Sequence, residues 1–167
     1  MENNDLSKQD LQRMAPNACL GFLGTAAHGL AVNMQENLYG RPNLWAGAVE
    51  KIEKVIGMRP DFMTSFTAPL AMMQLLQMVC VMGQVNSEKY HKPEREKLFK
   101  IVKYLAPIAV AVVFVGYELS GVHLNGTEYL DNPMADNLAT MVALGISMVT
   151  AVVSEKIFWE KDSKSDN

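Results

Sequence analysis

Residues 104–117 read YLAPIAVAVVFVGY and residues 137–154 read NLATMVALGISMVTAVVS, and neither stretch holds a single Asp, Glu, Lys or Arg. A surface helix of a water-soluble protein confines its apolar residues to one stripe; these segments are apolar around the whole circumference. Each therefore needs apolar surroundings on every side, and a chain of 167 residues has too little mass to bury several such helices in water. Two further stretches, Met14–Gln35 and Phe62–Ser87, are also free of charge. Both match the ~20 residues that cross a bilayer core of ~30 Å. The run beginning at Tyr104 is shorter, but its helix extends back to Lys100 or Lys103, whose long stems can snorkel, and on to about Leu124.

The expected fold is all-α: a single-domain four-helix transmembrane bundle, with helices at about 15–34, 62–85, 95–120 and 135–158 between polar termini. Pro16 is placed in the first turn of the first helix. Between the first two helices, Leu44, Ala48, Ile52 and Val55 share a face away from Glu50, Lys51, Glu53 and Lys54. That spacing predicts a short amphipathic helix on the membrane surface, closed by Gly57 and Pro60. The competing reading is a soluble all-α ligand-binding bundle. It is favoured by the mean hydropathy of +0.03 and by His28, Asn33, Gln74 and Gln77 within the proposed spans.

Charge between the spans gives an orientation. Glu88 to Lys103 carries Lys89, Lys92, Arg95, Lys97, Lys100 and Lys103, whereas Glu118 to Asp136 carries only acids. Positive charge resists translocation, so the first segment belongs to the cytoplasmic side and the second to the outside. Lys8 and Arg13 at the start, and Lys156, Lys161 and Lys164 at the end, then place both termini in the cytoplasm, making the chain a multi-pass membrane protein. The segment from Arg41 to Arg59 falls outside with four basic residues and is the one discord. Met1–Arg13 lacks the design of a signal peptide, so the first apolar helix itself is expected to direct insertion.

Net charge of −3 leaves no basic footprint for nucleic acid. The expected partners are instead the lipid bilayer and other membrane subunits, or further copies of the chain. No P-loop, GxGxxG, HExxH, GxSxG or CxxC occurs, so no catalytic residue and no cofactor is indicated by motif. Cys19 and Cys80 lie in apolar stretches and read as buried thiols. Asn125-Gly126-Thr127 matches a glycosylation acceptor.

Two sets of residues stand out. Ala135, Ala139, Ala143, Ser147 and Ala151 recur every fourth position, the pattern that lets helices approach closely in lipid, and are expected to seam the last helix against the third or against a partner. His28, Glu118, His123 and Asp136 fall on the outer half of the proposed topology. They form a candidate polar cluster for a divalent metal or for proton transfer, with Thr67 nearby. Each also has a structural reading: Asp136 as a helix N-cap, Glu118 at the water interface, His28 as a hydrogen-bonded helix residue.

Val115 to Ala151 resembles the closing hairpin of VanZ-like small membrane proteins. The likeness rests on Tyr117-Glu118 ending a helix, a polar loop from Gly121 to Asn132, and Asp136-Asn137-Leu138-Ala139-Thr140 leading to Gly145. The charged, histidine-containing entry of the second helix and the Asn-Thr-x-Gly spacing of that group are absent. The resemblance implies a small multi-helix membrane protein without an established reaction. Three functions follow: a non-catalytic subunit or assembly factor, a small transporter or channel using the outer acidic and histidine residues, and an enzyme acting on lipid or cell-wall intermediates.

Overall fold

The computed structural model describes residues 7–39, 60–120 and 133–159. The described residues form four long helices: α1 (Lys8–Tyr39), α2 (Pro60–Lys89), α3 (Pro93–Leu119) and α4 (Pro133–Ser154). A wider π-helical turn, Glu155–Trp159, continues α4. The expected amphipathic helix between the first two long helices, and His123 with the loop around it, lie outside the described residues.

Local chemistry explains the boundaries. Helix α1 starts earlier than the apolar pattern suggests because Ser7 and Asp10 cap it reciprocally: Asp10 N donates to Ser7 Oγ at 3.1 Å, and Ser7 N donates to the Asp10 carboxylate at 2.9 Å. This capping box satisfies two of the amides a helix start leaves open. Pro16 therefore sits inside α1, not in its first turn. Helix α2 closes in a Schellman motif, with Lys92 N donating to Ser87 O and His91 N to Glu88 O. His91 takes the left-handed conformation (φ 52°) that glycine usually supplies there. Pro93 then opens α3, where a missing N–H costs nothing.

The helices run alternately up and down. Helix α2 is central and packs on α1, α3 and α4, while α3 also packs on α4. Leu70 and Met73 of α2, Val110 and Ala111 of α3 and Ala143 of α4 form the main core. Met14 packs with Val81 and Val85 in a second cluster between α1 and α2. Glycine lets α1 close on α2: a methyl group at Gly24 would stand 3.2 Å from the backbone of Ala71.

The surface is inverted relative to a water-soluble bundle. Phe22 is 76% exposed, Val113 67% and Val149 63%, together with Ile101, Leu105, Val112, Leu138 and Met141. Asn17, Gln74, Gln77, Lys103, Thr140 and Ser147 are buried. Among the described residues, three segments are long and apolar enough to cross a membrane: Ser65–Lys89, Pro93–Tyr117 and Asn137–Ile157. Only 22% of the apolar window of the second is buried, so most of its surface faces outward. Helix α1 is not among them, because Asn17, His28 and its glycines dilute its apolar character.

Candidate functional site: a buried polar seam

Helix α2 buries Thr67, Gln74, Gln77 and Gln84 along one line, which runs on to the exposed Glu88. Thr67, Leu70, Gln74, Gln77, Val81, Gln84 and Glu88 follow one another at alternating steps of three and four, which keeps them on a single face. Gln77 occupies the centre of the bundle. Its amide Nε2 donates to Ser147 O of α4 at 3.0 Å and to Lys103 O of α3 at 3.3 Å. The second bond has a covalent cause. Residue 107 is proline and has no N–H, so the carbonyl four residues earlier, that of Lys103, loses its helical donor. Gln77 supplies the replacement from the neighbouring helix. One turn away, Gln74 Nε2 donates to Ser147 Oγ at 3.1 Å.

The seam ends in ion pairs where α1 begins, α2 ends, α3 begins and α4 ends. Lys103 is fully buried, and its Nζ lies 2.5 Å from Glu155 Oε2 and 5.2 Å from the centre of the Tyr104 ring. Lys100 pairs with the other carboxylate oxygen of Glu155. Glu155 opens the π-helical turn, and its carboxylate lies between the two lysines. Arg13 of α1 bonds Glu88 of α2 at 2.6 Å, and Ser154 Oγ donates to Arg13 O at 3.4 Å. All four helices are thus tied together at this end. Asn17, one turn from Arg13, is fully buried, and neither of its amide atoms has a hydrogen-bond partner among the described residues.

At the opposite end, His28 Nδ1 and Thr67 Oγ1 stand 3.3 Å apart, bridging α1 and α2. Glu118 lies in the last turn of α3 and Asp136 in the first turn of α4, but their side chains are outside what the structure describes, as is His123. The described structure thus brings only His28, of the expected polar cluster, onto a named partner. Among the described residues, no group of three His, Cys, Asp or Glu side chains is placed to hold a metal. Ala139, Ala143, Ser147 and Ala151 are buried, Ala143 against α2 and α3 and Ser147 against Gln74; the side chain of Ala135 is not described. Cys80 is buried, whereas Cys19 is exposed on α1.

No family model, curated protein or solved structure matches this chain. The geometry alone therefore carries the functional reading. The polar seam and the Lys103–Glu155 pair were missed in the sequence because Gln74 and Gln77 count there only as defects in an apolar run. Their 3–4 spacing with Gln84 and Glu88 was the available signal.

Proposed function

We propose that the protein is a four-helix, multi-pass membrane protein with both termini in the cytoplasm, acting as a non-catalytic subunit or assembly factor of a membrane complex. The observation that carries this reading is the inversion of the bundle: its polar and ionised side chains join helix to helix inside, while apolar side chains cover the outside. In water such an exterior would aggregate; in lipid it is the ordinary lipid-facing surface.

Helix α1 crosses with the others on this reading. It lies beside α2 in continuous antiparallel register, from Arg13 against Glu88, through Gly24 against Ala71, to His28 beside Thr67. A bilayer that contains α2 also contains α1, and four crossings return the carboxy terminus to the side of the amino terminus. The two basic ends and the basic turn at Lys89–Lys100 then share the cytoplasmic side. The VanZ-like character of the closing hairpin belongs to the same reading. Its partners are other membrane subunits or further copies of the chain, because the buried ionic groups are already occupied in tying the bundle.

A second reading, a small transporter or channel, is favoured by Lys103 and Glu155, since ionisable groups inside a span commonly mark ion or proton paths. Membrane fractionation, followed by affinity isolation in mild detergent and identification of the retained chains, tests the first reading. It expects the protein in the membrane fraction with a stoichiometric membrane partner or a defined oligomer. Recovery as a single copy that dissipates a pH gradient in vesicles, and ceases to do so in the Lys103→Met, Glu155→Leu double variant, would instead establish transport.

A further inference from the structure

The outward face of α2 forms a trough. Helices α1 and α3 flank α2 and pack on it without extensive contact with each other. Met72, Leu76, Val79 and Met82 line the floor between them, each exposed. From Met72 to Met82 the floor runs ~15 Å at 1.5 Å per residue, most of the length of a membrane acyl chain.

At its basic end the trough deepens into a groove of about 450 Å³ bounded by Asp10, Met82, Gly83, Asn86, Lys89 and Tyr90. Gly83 lets the Phe99 ring of α3 lie against α2 beside the groove, because a methyl group in its place would stand 2.6 Å from that ring. Among the described residues, the rim carries the Asp10 carboxylate, the Lys89 ammonium, the Tyr90 phenol and the Asn86 amide above an apolar floor. We propose that this groove binds one glycerophospholipid with a primary-amine headgroup, of the phosphatidylethanolamine class. Lys89, with Tyr90 and Asn86, meets the phosphate; Asp10 accepts from the headgroup ammonium; one acyl chain lies along Met82, Val79 and Met72.

The charges select this class. A purely anionic headgroup leaves Asp10 facing like charge, and a choline headgroup offers Asp10 no N–H to accept. The volume suits a headgroup with its glycerol, not a whole lipid, so the apolar trough holds the chain. The inference rests on the membrane reading above.

The full chain in mild detergent, offered phosphatidylethanolamine, phosphatidylcholine and phosphatidylglycerol with identical acyl chains, gives the test by native mass spectrometry. One phosphatidylethanolamine should be retained, with roughly tenfold preference over phosphatidylcholine, the scale of one charge-assisted hydrogen bond. Asp10→Asn should erase that preference while leaving helix content by circular dichroism unchanged, since Asn still caps. Lys89→Gln should weaken retention of all three lipids. Equal retention of the three lipids by the wild type, or a preference that survives Asp10→Asn, overturns the proposal. A chain monodisperse in plain buffer would remove the membrane reading itself, and this inference with it, an outcome distinct from lipid binding without selectivity.

Discussion

Replacing Glu155 by Gln strands a charge. Lys103 is fully buried with its ammonium 2.5 Å from the Glu155 carboxylate. Gln keeps the size of the side chain and one acceptor oxygen but cancels the opposite charge. Removing one partner of a buried ion pair typically costs ~3–5 kcal/mol, because the other charge stays desolvated and uncompensated. An ordinary hydrogen bond between membrane helices is worth only ~0.6 kcal/mol. The two accounts of the contact thus differ severalfold and are easily separated. At ~2–4 °C per kcal/mol for a chain of this size, Glu155→Gln should lower the unfolding midpoint in mild detergent by ~6–20 °C. Lys100 is 53% exposed at its side chain, so Lys100→Gln should cost under ~1 kcal/mol despite touching the same carboxylate. The double variant Lys103→Met with Glu155→Leu should recover most of the loss, since an apolar pair needs no desolvation. The assay is thermal or denaturant unfolding of the four proteins side by side. A Glu155→Gln midpoint no lower than that of Lys100→Gln, or a double variant weaker than either single change, would refute a desolvated pair.

Three other outcomes follow. Gln77→Leu should cost ~1 kcal/mol in the native chain and measurably less in a Pro107→Ala background, where residue 107 again donates to the Lys103 carbonyl; a double-mutant cycle in the same assay reads the coupling. Gly24→Ala should destabilise by ~1–3 kcal/mol, because its methyl meets the Ala71 backbone at 3.2 Å, whereas Gly29→Ala, with nothing within 4 Å, should leave the midpoint unchanged or higher. His91→Gly should raise stability by up to ~1 kcal/mol by relieving the left-handed conformation at the α2–α3 turn, again as a shift in the unfolding midpoint.

Much of the architecture was legible because charge in this chain is segregated. Residues 104–117 and 137–154 are apolar around the whole helix, and Pro93 after the polar residues 88–92 marks where the chain turns from α2 into α3. Helix ends were less legible. The Ser7–Asp10 box extends α1 well before its apolar residues begin, since capping depends on two side chains and not on hydrophobicity.

The polar interior was not legible in the same way. A glutamine in an apolar run reads alike whether it faces lipid, water or another helix. Only packing shows that Gln77 answers a carbonyl opened by Pro107 on a different helix, twenty-six residues away in the chain. Composition therefore determined that α2, α3 and α4 carry segments long and apolar enough to cross a membrane, because hydropathy is a property of each segment alone. The register of α1, α3 and α4 against α2 decided which polar groups meet, and that Lys103 turns inward to Glu155 instead of outward to water, because pairing depends on distances between segments that no single segment encodes.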